Sequence, residues 1–85
     1  SDLIINVKSD EYLIESKIYY YESQFVNGKK QLAYYCKSLG LAKGVYLVFC
    51  PTGVKYPKTI KEETEKIEGI EISSFLISFD EAKWE

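Results

Sequence analysis

The stretch YLIESKIYYY, residues 12–21, reads as a strand with an acid and a lysine two positions apart in its middle, Glu15 and Lys17. A period of two sends both to one face of a sheet. Either that face is wet and the two merely flank each other, or they act together. A carboxylate there can take a hard cation, and the ammonium beside it can orient water or neutralise phosphate charge. A second acid, Asp2, begins the preceding strand-like run. If the two runs form a hairpin turning at Ser9 and Asp10, Lys8 stands opposite Glu11, Ile4 opposite Glu15 and Asp2 opposite Lys17. Asp2 and Glu15 are then diagonal neighbours roughly 7 Å apart, near enough to share one ion. A slip of one residue would send them to opposite faces.

What else can do chemistry is limited. The 85 residues include no histidine, which removes Ser-His and Cys-His nucleophiles and the commonest base near neutral pH. Two cysteines, Cys36 and Cys50, are too few for a disulfide scaffold, and without histidine a structural zinc site lacks ligands. Catalysis would fall to carboxylates, lysine, tyrosine or a hard metal ion held by oxygen. Reduced cysteines suggest a cytoplasmic setting. The chain is 46% apolar and 15% aromatic, too rich for disorder, and no apolar run approaches the roughly 20 residues that span a bilayer. It is expected to be globular and not membrane-bound.

The net charge of −2 conceals an asymmetry. Residues 26–61 hold seven lysines and no acid, whereas residues 62–85 hold eight acids and two lysines. The basic middle suits a phosphate backbone. It equally suits a solvated helix face and loop lysines that pair with the acidic C-terminal part.

The elements that must position these groups follow from periodicity. Residues 2–21 read as two strands. In FVNGKKQLAYYCKSLG, apolar or aromatic residues at 32, 35, 36 and 39 form a helical stripe, and Gly40 stands at a left-handed C-cap, so a helix is expected over about 27–39. GVYLVFC, 44–50, is a short, nearly unbroken apolar run, the mark of a strand covered on both faces. Residues 59–67 fit either a helix or the outgoing arm of a hairpin that turns near Gly69, and the hairpin is preferred; about 70–79 is a strand. Tyr19, Tyr20 and Tyr21 suit packing or an interface more readily than base stacking. LGLAKG lacks phosphate-loop spacing and reads as a helix cap and turn. The expected order is β-β-α-β-β-β in one α/β domain, residues 1–85, with a mixed sheet and one main helix. A start at SDLI without Met suggests a truncated, C-terminal piece of a longer protein. So small a core invites help from another segment or from a second copy in a homodimer.

Taken together, Asp2, ESK at 15–17 and QLAYY at 31–35 resemble the PD-(D/E)xK nuclease superfamily. Members carry an Asp on one strand and acid-x-Lys on the next, and in the RecB-like branch Q-x3-Y lies on the following helix. Residues 28–49, GKKQLAYYCKSLGLAKGVYLVF, look like the C-terminal nuclease-like domain of predicted bacterial and archaeal ATPases. The resemblance covers about residues 2–50. Ser1 stands where the family has Pro, and the family's upstream helix, which often supplies a further acid, is not among these residues.

The resemblance implies a restriction-endonuclease-like fold and a nuclease that hydrolyses DNA phosphodiester bonds, active or degenerate. Asp2 and Glu15 would hold Mg2+ or Mn2+, with Lys17, Gln31 and Tyr35 completing the catalytic set. Lys29, Lys30 and Lys37 would meet the nucleic acid, and an ATPase domain of the same parent chain would be a partner. The competing expectation is a noncatalytic module on the same fold that binds nucleic acid or docks on protein.

Overall fold

A computed structural model describes residues 2–7 and 10–81, with side chains from residue 10 onward. β1 (Asp2–Val7) and β2 (Asp10–Ile18) form an antiparallel hairpin. Helix α1 (Glu22–Ser38) then carries the chain over the sheet to β3 (Lys43–Pro51), which runs parallel to β2. β4 (Glu63–Ile67) and β5 (Ile70–Phe79) form the last hairpin, with β5 parallel to β3. The sheet has five strands in the order β1-β2-β3-β5-β4. The expected order and mixed sheet are therefore present, and 63–67 is strand rather than helix.

The β4–β5 turn shows why. Ile67 pairs with Ile70, so only Glu68 and Gly69 connect the strands, and both have positive φ, 52° and 80°. That is the mirror-image geometry two-residue hairpins favour, because its twist matches the strands.

The helix starts five residues before the expected Asn27. Glu22, Ser23 and Gln24, polar and ahead of the apolar stripe, form its first turn, with Glu22 at the positive end of the helix dipole. A hydrogen bond from Thr59 Oγ1 to the Glu22 carboxylate ties that turn to the loop before β4. Gly40 does lie just past the end with φ 72°, as the C-cap signal requires.

The face that α1 buries also differs from the sequence stripe. Phe25, Gly28, Lys29, Leu32, Ala33 and Cys36 are buried, whereas Tyr35 and Leu39 are exposed. Against them pack Leu13, Tyr46, Val48 and Ile72 from the sheet. Each large apolar side chain buried there contributes roughly 1.5–3 kcal/mol. Tyr19, first of the tyrosine run, joins this core against Tyr56, while Tyr20 and Tyr21 are exposed. β3 was expected to be covered on both faces. Its side chains instead alternate between fully and partly buried, so one face lies under α1 and the other is half open.

Candidate functional site

The hairpin register differs from the expected one by two residues: Val7 pairs with Asp10, and Asp2 stands directly opposite Glu15. Asp10 belongs to β2 rather than to the turn. A shift of two preserves the alternation, so the two acidic positions keep one face and move from diagonal to directly opposed. The side chain of Asp2 lies outside the described residues.

Register then carries a row across the α1 side of the sheet. Glu15 neighbours Tyr46 on β3, Tyr46 neighbours Ser74 on β5, and Ser74 neighbours Glu63 on β4. Polar residues thus run through the middle of a core face. The Glu15 side chain is 13% exposed, with Oε1 3.8 Å from Lys17 Nζ. That is a loose ion pair, too long for a hydrogen bond. Glu15 Oε2 is buried and has no hydrogen-bond partner among the described residues. A buried carboxylate oxygen left so costs several kcal/mol of hydration unless something compensates.

Tyr46 and Gly28 set the height of the helix above this row. The Tyr46 hydroxyl donates to the Phe25 carbonyl at 3.0 Å, and a side chain on Gly28 would overlap that hydroxyl. Burial pushes the Tyr46 phenol up to about 12, so it remains a neutral donor.

Beside this contact lies a cleft of about 370 Å³ whose walls include Lys17, Tyr21, Asn27, Gly28 and Gln31. The fold therefore brings Gln31 to the same cleft as Lys17, the next-but-one neighbour of Glu15. Tyr35 does not line it. One turn beyond Gln31, its exposed ring leans on Tyr34 at 6.0 Å between centroids.

The three lysines expected at nucleic acid divide. Lys30 and Lys37 are exposed, Lys37 in the last turn where a cation complements the helix dipole. Lys29 is buried instead. Its ammonium is 2.7 Å from Glu65 and 3.6 Å from Glu63, and it sits 4.8 Å over the Phe25 ring. These carboxylates hold it toward the β4 edge of the sheet, away from Glu15, so its ammonium is engaged by acids rather than open to a phosphate. It realises the other possibility, a basic helix pairing with the acidic C-terminal part.

Both thiols are buried, and burial raises the pKa of each. Neither Cys36 nor Cys50 is therefore suited to act as a thiolate nucleophile. Among the described residues no group of three or more acids or cysteines is placed to hold a metal ion. Acidic positions near Lys17 include Glu15 and, by register, Asp2. The orphaned Glu15 Oε2 fits a hard cation, which takes carboxylate oxygens.

Sequence reasoning missed Tyr46, Asn27 and the Glu63–Glu65 pair. Tyr46 was hidden inside an apolar run, which conceals the face a residue takes. Ser74, polar in the middle of IEISSFLISF, was the available sign that the row continues into β5. No helix among the described residues is long and apolar enough to cross a membrane. No family model, curated protein or solved structure matches the chain.

Proposed function

We propose that the chain is a metal-dependent phosphodiesterase domain acting on DNA, on a restriction-endonuclease-like fold. The observation that carries the reading is Glu15 Oε2, buried without a partner among the described residues, directly opposite Asp2 in register and beside Lys17. Asp2 and Glu15 would hold Mg2+ or Mn2+, which supplies a lower pKa for bound water and neutralises charge on phosphate. Lys17, at the wall of the cleft, offsets charge that develops on the phosphate oxygens. Gln31, in the same cleft, donates to a phosphate or sugar oxygen and positions the strand. Tyr35, exposed one turn on, contacts the backbone farther out. Lys30 and Lys37 attract it electrostatically. An ATPase domain in the same parent chain is the natural partner.

The test is cleavage of plasmid and single-stranded DNA with Mg2+ or Mn2+ by the parent protein and by its Glu15→Ala and Lys17→Ala variants. The reading expects both variants to lose at least about a hundredfold, the scale of losing one preorganised charge. Equal activity in all three sinks it. Mn2+ titration followed by NMR adds a readout independent of turnover: broadening should centre on the amides of residues 2 and 15. Binding of DNA without cleavage or broadening would make the domain a noncatalytic module.

A further inference from the structure

The face of the sheet turned away from α1 is apolar and open. β2, β3 and β5 run parallel, and parallel strands are ordinarily covered on both faces. Here Ile18, Phe75 and Ile77 remain 45%, 45% and 39% exposed. Lys17, Ile18, Phe49, Ile77 and Phe79 help to line a groove of about 570 Å³ on that side. A surface of this kind on a small domain marks a contact site.

Its polar edge indicates what covers it. At the end where β3 begins, register sets Lys43 beside Glu71 and Glu71 beside Lys66. Asp10 closes the row by pairing with Lys43 at 3.2 Å. The charges therefore alternate: Asp10 on β2, Lys43 on β3, Glu71 on β5 and Lys66 on β4. A two-fold axis along the strands, midway between β3 and β5, reverses strand order while keeping strand direction. It brings Lys43 to Glu71 of the second copy, Glu71 to Lys43 and Lys66 toward Asp10. The same operation lays Leu47 on Phe75 and Phe49 on Ile77. An isologous interface needs a patch complementary to itself, and this row is one.

The area is sufficient. β2, β3 and β5, of nine or ten residues, and β4, of five, lie about 4.8 Å apart with a rise of about 3.3 Å per residue and present ~520 Å² per copy in projection. Side-chain relief raises the two-copy total above the ~1,200 Å² at which stable specific interfaces begin. Sheets packed in this way lie about 10 Å apart and within ~30° of alignment.

We infer that this face is the interface of a homodimer, two copies packed sheet to sheet around an axis between β3 and β5. The interface leaves the α1 side, with Glu15, outside it. It does not depend on the nuclease reading.

Sedimentation equilibrium of the 85-residue chain tests it, with the melting temperature followed against concentration. The expected results are a dimer mass and a melting temperature that rises with concentration. Phe75→Lys, at an exposed position, should weaken the dimer by about a hundredfold or more while leaving the monomer folded. Lys43→Glu alone and Glu71→Lys alone each set like charges face to face and should be monomeric. Mixed in equal amounts they set opposite charges face to face and should form a heterodimer, which an effect confined to one chain cannot produce. A wild type that stays monomeric at every concentration overturns the proposal. So does a dimer that Phe75→Lys leaves intact, which would place the contact elsewhere, such as a sheet edge. Failure of the two charge variants to associate on mixing also overturns it.

Discussion

The hydroxyl of Tyr46 occupies the space a side chain on Gly28 would need, and it bonds the Phe25 carbonyl one turn earlier on the same helix. Helix and sheet are thus closest beside the candidate site, where Lys17 Cε also lies 3.4 Å from the position of a Gly28 Cβ. Alanine ordinarily favours a helix interior by about 1 kcal/mol over glycine. Here overpacking, typically 1–3 kcal/mol, opposes that gain. Gly28→Ala should therefore lower stability by up to about 2 kcal/mol, read as a reduced urea midpoint. In Tyr46→Phe the same change should cost less, because the obstructing oxygen is gone. A raised midpoint for Gly28→Ala would mean that the helix does not lie this close.

Tyr46 also makes an alkaline prediction. Burial raises its pKa from the ordinary 10.0 to about 12. The folded phenol keeps its proton where the unfolded one has lost it, so the stabilisation is complete below about pH 10 and is lost as pH rises through 12. Burial also raises Tyr19 and Tyr56, so wild-type melting temperatures should fall over this range for more than one reason. Tyr46→Phe should lose about 1 kcal/mol at neutral pH through the lost hydrogen bond to the Phe25 carbonyl and then decline less steeply from pH 10 to 12. Parallel curves for the two proteins would rule out a buried phenol at this position.

Much of this arrangement was legible in the sequence, and the limits have identifiable causes. Alternation in the first two runs placed Asp2 and Glu15 on one face because face depends only on parity, and a two-residue error in register left it intact. The register itself was misjudged because a Lys8–Glu11 pair, worth a few tenths of a kcal/mol, was allowed to set it. The helix face was misplaced because Tyr35 and Leu39 look apolar yet lie on the exposed side, while glycine and lysine at 28 and 29 do not look like core. Lys29 is buried because its stem packs near Phe25 and its head meets acids 34 and 36 residues away, pairings no local pattern reveals.

Lys29 should consequently behave as a structural residue. Lys29→Met keeps much of the stem and removes the charge, leaving Glu63 and Glu65 repelling each other. Both acids are about one-third exposed, so water softens the loss to about 1–2 kcal/mol, below the cost of breaking a fully buried pair. A double-mutant cycle with Glu65→Gln should show the larger coupling, and one with Glu63→Gln the smaller, following 2.7 and 3.6 Å. Lys30→Met should change stability by less than about 0.5 kcal/mol. If the protein binds DNA, Lys30→Ala should lower the slope of log affinity against log salt by about 0.9, and Lys29→Ala should not.

Glu15 separates a maintained site from a relic. Its buried Oε2, without a partner among the described residues, is an expense a protein retains when function needs it, since replacing such a group with an apolar one of similar size is often stabilising. In metal-free buffer Glu15→Leu should raise the melting temperature by a few degrees, matching about 1 kcal/mol in a domain this small. Added Mg2+ or Mn2+ should then raise the wild-type melting temperature, by about 2.7 kcal/mol of stability at a hundredfold excess over Kd, and leave Glu15→Leu unmoved. Asp2→Asn should blunt the metal response if the directly opposed position supplies the second carboxylate. An equal response to metal in wild type and Glu15→Leu would place the cation elsewhere. A wild type that does not respond, beside a stabilised Glu15→Leu, would leave Glu15 and Lys17 as an ion pair on a partly buried sheet face.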